Sequence, residues 1–197
     1  MKCDRNGQAK ILTDSEVSNI FGVLNARDKA IFAVCLYTGT RISEAISLRT
    51  GDIAAGVIVI RKDNTKGKKR SRSIPISPNL EPILRDYLAI ASPSEFLFPN
   101  RYGKKPLTTA YADLVLRDAC KQLGFKGIST HSFRRTALTR MHMAGVPLRT
   151  IQRISGHSSL AALAFYLEVS EENMREAVKF IWYLIPDRRD RSGWLSL

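Results

Sequence analysis

The chain has 197 residues, 44% of them hydrophobic, and carries 31 lysines and arginines against 18 acids, a formal charge of +13. That apolar fraction suffices for a packed core and excludes a disordered polymer, while the longest apolar run, Ala30 to Tyr37, is far too short to span a bilayer. The basic excess selects a polyanionic partner, and DNA or RNA fits it better than an anionic membrane surface.

Taken in order, Leu12-Thr13-Asp14-Ser15-Glu16-Val17 predicts a helix start. Thr13 and Glu16 have capping-box spacing, and Leu12 and Val17 that of a hydrophobic staple. This helix is expected to reach about Leu24. A second spans Asp28 to Thr38 and stops at Gly39; a short third carries Arg41, Glu44, Ala45 and Leu48. Val57 to Ile60 and Ser73 to Ile76 read as strands, the second an edge because of Pro75. The turn between them is cationic: Arg61 to Arg72 holds seven basic residues and one acid. Ser77-Pro78 opens a helix to about Ile90, with Pro at its first position. Ala91 to Pro106 is loop apart from a brief apolar Phe96-Leu97-Phe98. Thr108 caps a long helix ending at Gly124, and another runs from about Phe133 to Ala144. Pro147 opens a short helix ending near Gly156, and Leu160 to Tyr166 forms the next. The last, capped by Ser170, has Met174, Ala177, Val178, Ile181, Trp182 and Ile185 on one face. The expected architecture is mainly α with a small antiparallel β-sheet, an α+β fold.

The start of the chain, MKCDRNGQAK, has no apolar stretch of the signal-peptide kind. Three cysteines without CxxC spacing read as reduced thiols, which places the protein in the cytoplasm.

The segment Ala119 to Leu167 contains no Asp or Glu. It holds Lys121, Lys126, Arg134, Arg135, Arg140, Arg149 and Arg153, all three histidines of the chain, and Tyr166 near its end. Cations gathered without counter-charges call for an anion from outside, and a nucleic-acid backbone supplies one. A two-metal phosphodiester site would need carboxylates that this segment lacks.

Thr38-Gly39-Thr40-Arg41-Ile42-Ser43-Glu44-Ala45 with Asp52-Ile53 resembles the first conserved box of the tyrosine recombinase (phage integrase) family. His131-Ser132-Phe133-Arg134 resembles the second box, and Gly156-His157 with Tyr166 nine residues on resembles the third. The hairpin from Thr65-Lys66-Gly67 to Ile74-Pro75-Ile76 resembles the family's lysine-bearing β-turn. Three departures stand out: Ser155 where the family often has Leu, Phe133 and Arg135 within the second box, and a hairpin about one residue longer than usual.

The resemblance implies the tyrosine-recombinase catalytic-domain fold over residues 12–185, with residues 1–11 as an N-terminal extension and 186–197 as a tail. It implies a site-specific recombinase that cleaves and rejoins double-stranded DNA through a 3′-phosphotyrosyl link, without metal, ATP or other cofactor. Arg41 and Arg134 would clamp the scissile phosphate, His157 would donate to the same oxygens, and Tyr166 would attack. His131 matches the family's base or hydrogen-bonding position. Lys66 matches the lysine that protonates the 5′-oxygen, a role that Lys68 or Lys69 takes if the longer hairpin shifts the register. Glu44 would orient Arg41. Phosphate contacts are expected from Lys68, Lys69, Arg70, Arg72, Arg135, Arg149 and Arg153. The resemblance further implies a homotetramer on DNA, with the last helix as the docking element, in a bacterial, plasmid or phage setting at the nucleoid. Members usually carry a further N-terminal DNA-clamping domain, so the chain is either a piece of a longer protein or a naturally short member, as the fimbrial DNA invertases are.

Three rivals remain at this stage. Arg134 to Ile154 reads as a helix-turn-helix in a non-catalytic DNA-binding protein, with Arg149, Gln152 and Arg153 towards the DNA and Tyr166 in the core. A type IB topoisomerase uses a similar residue set. A metal-dependent nuclease would need ligands beyond His131, His142 and His157.

Overall fold

The computed structural model describes residues 9–64, 70–164, 167, 175, 178 and 179. Residues up to Leu167 form one compact unit and those from Glu168 a second. Of the second, Arg175, Val178 and Lys179 are helical and exposed; the rest of the apolar stripe expected over residues 173–185 lies outside the described residues.

The first unit is mainly helical with one small antiparallel sheet, as the sequence predicts. Helix α1 (Asp14–Val23) starts on a reciprocal cap: Thr13 Oγ1 accepts from the Glu16 amide at 3.2 Å, and Glu16 Oε2 accepts from the Thr13 amide at 3.1 Å. Leu12 and Val17 are both buried beside it. Helix α2 (Ala26–Thr38) starts two residues earlier than expected, because Asn25 Oδ1 accepts from the Asp28 amide. Its run from Ala30 to Leu36 is buried throughout, so α2 is the central rod of the core rather than an amphipathic surface helix.

Helix α3 (Ile42–Ile46) is shorter than the sequence suggests and leaves Arg41 at its N-cap. A short strand that the pattern did not reveal, β1 (Ile53–Ala54), pairs with β2 (Val57–Ile60), which pairs with β3 (Arg72–Pro75). Ala55 and Gly56, both at positive φ, make the tight turn between β1 and β2. Pro75 lies at the end of β3, on the sheet's edge.

Helix α4 (Glu81–Leu88) begins three residues after Pro78, not at it. The Leu80 and Glu81 amides both donate to the Ser77 carbonyl, so Ser77 to Leu80 is a turn leading into the helix, and Pro82 takes the early helical position instead. Helix α5 (Thr109–Gln122) is capped by Thr108 as expected. Helix α6 (Thr130–Met143) starts three residues before Phe133, because Ser132 Oγ accepts from the Ser129 amide and holds a first turn that the polar sequence disguises. Helix α7 (Leu148–Ser155) ends on Gly156, and α8 (Leu160–Ala164) follows. No described helix is long and apolar enough to cross a membrane.

Helix α6 packs along α2. The Phe133 ring stacks on Phe32 at 4.9 Å between centroids and lies parallel to Phe21 at 6.3 Å. Residues 9–12 run beside α6. The Leu12 amide donates to Thr136 Oγ1 at 2.8 Å, and Arg135 Nη1 donates to the Ala9 carbonyl. Phe133 and this strap fix the rotation of α6 about its axis, and hence the direction of Arg134.

Gly39 ends α2 at φ 64°, and a Cβ there would stand 3.2 Å from Leu138 Cδ2 of α6. Gly39→Ala should therefore cost about 1–2 kcal/mol. Gly22→Ala, in α1 with open space around it, should stabilise by about 0.5–1 kcal/mol. Urea unfolding of the two variants checks the pair; equal midpoints would contradict the packing described.

Candidate active site

The Glu44 carboxylate is the centre of the site. It is 1% exposed and belongs to α3, whose first turn it caps by accepting from the Arg41 amide at 2.8 Å. Three guanidiniums surround it. Arg72 Nη2 stands 2.7 Å from Oε2, with Nη1 3.2 Å from Oε1. Arg41 Nη1 is 3.3 Å from Oε1, and Arg134 Nη1 is 3.9 Å from Oε2. Burial pushes the Glu44 carboxyl up, but the Arg72 hydrogen bond and charge, then the Arg41 amide and charge, outweigh it and hold the group below its ordinary value.

Arg134 is the largest fully buried side chain among the described residues. Its Nη1 donates to the Gly39 carbonyl at 2.7 Å and its Nη2 to the Ser155 carbonyl at 3.0 Å. One guanidinium thus joins the end of α2, the end of α7 and the carboxylate of α3. Its Nη2 also lies 3.1 Å from His157 Nε2 and 3.4 Å from Nδ1. His157 is buried just past α7, with Ser155 Oγ 2.7 Å from Nδ1. Burial, then the charges of Arg134 and Arg41, push its pKa down to about 3, so the ring is neutral at physiological pH.

Gly156 lies at φ 70°, and a Cβ there would meet Arg72 Nη1 at 3.0 Å. The glycine of the Gly-His pair is thus needed both for the helix end and for the arginine head lying on it. Arg72 Nε also donates to the Ile154 carbonyl at 2.7 Å. Two cations therefore satisfy the last carbonyls of α7, where the helix dipole favours positive charge.

The structure brings Arg41, Arg134 and His157 together around Glu44. His131 is exposed in the first turn of α6, three residues before Arg134 and so on a neighbouring face. Lys66, Lys68, Lys69 and Tyr166 lie outside the described residues. Of the expected phosphate contacts, Arg70, Arg149 and Arg153 are exposed. Arg72 and Arg135 are turned inward, Arg72 to the buried Glu44 carboxylate and Arg135 to the part-buried Ala9 carbonyl, because each finds an acceptor in the fold. Gln152, assigned to DNA in the helix-turn-helix reading, donates to the His157 carbonyl at 3.2 Å and accepts from Arg149. Sequence reasoning gave Arg72 the role of a phosphate contact, not of a Glu44 partner, and noted Ser155 only as a departure from the family pattern, without its contact to His157. The acid-free segment did carry a signal for Glu44, because a buried arginine such as Arg134 needs a carboxylate from elsewhere in the chain.

Three guanidiniums around one carboxylate, beside a neutral imidazole, leave two positive charges in excess. Such a cluster attracts an anion whose charge grows during reaction. Among the described residues, no group of three or more His, Cys, Asp and Glu side chains is placed to hold a metal ion.

The phage integrase family profile matches residues 10–173. The chain belongs to the phage integrase family. It is 32% identical over 173 residues to a tyrosine recombinase of Thermosipho africanus, covering 85% of this chain and 60% of that protein. To the tyrosine recombinase XerD of Corynebacterium glutamicum it is 32% identical over 166 residues, covering 81% and 54%. To XerA of Pyrococcus furiosus it is 31% identical over 178 residues, covering 86% and 61%. The chain thus spans little more than half the length of these relatives. In fold it resembles the Tn1549 transposon integrase solved in complex with transposon right end DNA (TM-score 0.78, 19% identity, 91% of this chain and 68% of that one). It also resembles a XerA recombinase (TM-score 0.73, 22% identity, 93% and 66%). The fold expected from the three boxes and the hairpin is therefore the one found.

Two predictions follow from the electrostatics of this integrase-family site. Glu44→Gln removes the carboxylate from among three cations and should destabilise the protein by about 3–5 kcal/mol in urea unfolding; a loss below about 1 kcal/mol would contradict the hub. His157 binds its proton with a pKa of about 3 in the folded protein, against an ordinary 6.5. Between those values the unfolded chain holds more protons, so this contribution to stability is present above about pH 6.5 and falls as pH drops towards 3. From pH 6.5 to 5, wild type should lose up to about 1.4 kcal/mol per pH unit more than His157→Gln, read from urea midpoints.

Proposed function

We propose that the chain is the catalytic domain of a site-specific recombinase that cuts and rejoins double-stranded DNA through a phosphotyrosyl intermediate. The observation that carries this reading is the gathering of Arg41, Arg134 and the neutral His157 around the buried Glu44. A phosphodiester carries one negative charge, and an attacking phenolate brings a second. The excess charge of the cluster matches that pair.

In the proposed reaction the Tyr166 oxygen attacks phosphorus and the bond from phosphorus to the 5′-oxygen breaks. Arg41 and Arg134 bind the non-bridging oxygens, and His157 donates a hydrogen bond to them. The phenol proton passes to His131, and the 5′-oxygen takes a proton from Lys66, or from Lys68 or Lys69 if the longer hairpin shifts the register. The products are a 3′-phosphotyrosine and a free 5′-hydroxyl. The linkage keeps the energy of the broken phosphodiester, so attack by another 5′-hydroxyl reseals the strand without ATP. Protein cations do the work that a metal ion does in other phosphoryl transfers. Arg70, Arg149 and Arg153, exposed and basic, are the phosphate contacts of this reading.

Exchange between two duplexes needs four strand cleavages, which a homotetramer on DNA provides. The helix expected over residues 173–185 is the docking element proposed for it. The relatives' names, which include tyrosine recombinases from bacteria and an archaeon, support the reaction class.

The test is a covalent adduct. Incubated with a randomised pool of nicked suicide duplexes, wild type should give an SDS-stable protein–DNA species in excess EDTA. Tyr166→Phe should give none. An adduct that survives Tyr166→Phe, or its loss in EDTA, would overturn the mechanism; no adduct from wild type would favour a DNA-binding role alone.

A further inference from the structure

Ser155 stands where the family often has a leucine, and it is fully buried. A hydroxyl taken out of water needs partners. Two acceptors lie near Ser155 Oγ: His157 Nδ1 at 2.7 Å and the Gln152 carbonyl at 3.4 Å. The hydroxyl has one proton, and the longer contact is outside the ordinary range for an O–H donor. A hydroxyl donating along the shorter contact leaves Nδ1 presenting its lone pair, whereas the opposite sense, Nδ1–H to Oγ, leaves the hydroxyl proton only the 3.4 Å contact.

The other side of the ring agrees. Arg134 Nη2 is 3.1 Å from Nε2 and 3.4 Å from Nδ1, nearly equidistant from the two nitrogens. A donor in line with an Nε2 lone pair would stand about 5 Å from Nδ1. The guanidinium thus lies against the ring between the nitrogens and does not occupy the in-plane position at Nε2. A neutral imidazole has one N–H, and with Nδ1 accepting from Ser155 that proton resides on Nε2.

We propose that Ser155 is a positioning residue that fixes His157 as its neutral Nε2–H tautomer, so that the ring meets a phosphate oxygen as a donor. The inference rests on the recombinase reading for its purpose, but not for its geometry. A leucine at this place has no hydroxyl to offer the ring. Here the same backbone position does two things: its carbonyl holds Arg134, and its hydroxyl holds His157. The charged groups facing the imidazole are Arg134, Arg41 and Arg72, with Glu44 opposing them. The three cations favour a neutral ring, and the Arg134 donor, nearly equidistant from the two nitrogens and out of line with either lone pair, does not select between them.

The experiment uses the full chain with 15N-labelled histidine, its three imidazoles assigned with a His157→Gln control. In wild type near neutral pH, His157 Nδ1 should resonate as the unprotonated nitrogen and Nε2 as the protonated one. Ser155→Ala should shift the ring to a mixture or to the other tautomer. Ser155→Thr, which keeps the hydroxyl, should retain the wild-type pattern. In the adduct assay, Ser155→Ala should slow single-turnover cleavage about ten- to hundredfold with DNA affinity unchanged, and Ser155→Thr should recover most of the rate. A wild-type ring protonated on Nδ1, or one indifferent to Ser155→Ala, would overturn the proposal. If Ser155→Ala does not fold, the wild-type and Ser155→Thr spectra decide alone. If wild type forms no adduct while its tautomer is as stated, the recombinase reading fails and the role of Ser155 in holding the ring stands.

Discussion

A carboxylate taken out of water is stabilised by cations that close around it; Asp28 and Asp52 each have one arginine partner, and Glu44 has three. Its two oxygens receive Arg72 and Arg41 directly and stand near Arg134. Each arginine comes from a different part of the chain: Arg41 from the α3 N-terminus, Arg72 from the edge strand, Arg134 from α6. The negative charge therefore acts as a clasp on three elements. Because the cations outnumber it, the clasp is also incomplete electrostatically. The remaining positive charge is what a phosphate would meet.

The clasp explains why ordinary-looking residues are needed at the element ends. Gly39 closes α2 in a left-handed turn and offers its carbonyl to Arg134, with Leu138 Cδ2 only 3.2 Å from where a Cβ would stand. Gly156 closes α7 in the same way under the Arg72 head. The terminal carbonyls of α7, which no intrahelical amide can reach, are taken by Arg72 and Arg134. Helix termini and site are thus one hydrogen-bonded object, and a change at either glycine is felt at the arginines.

Departures from the family pattern acquire physical meaning in the same frame. Phe133 is a core ring stacked on Phe32, setting the rotation of α6 and therefore where Arg134 points. Arg135 reaches back to the Ala9 carbonyl and helps to hold the entering strand on that helix. Ser155 brings a hydroxyl to the imidazole. Each of the three changes how a neighbouring element or side chain is held.

The sequence by itself determined the helical periodicity, the caps at Thr13 and Thr108, and the stops at Gly39 and Gly156, because these depend on near neighbours. It was also enough to recognise the family, since the three boxes and the hairpin keep their order and the boxes keep their internal spacing. Strand β1 escaped it because two residues show no period, and the start of α6 escaped it because Ser132 acts as a cap partner within a stretch that reads as a turn. Only the tertiary structure decided that Arg72 and Arg135 face inward, that Glu44 serves three arginines and not one, and that Ser155 touches His157. Those outcomes depend on which acceptors the fold leaves buried within a side chain's reach, and that distance is set by the packing of α6, α7 and the sheet edge against α2 and α3, not by any local run of residues.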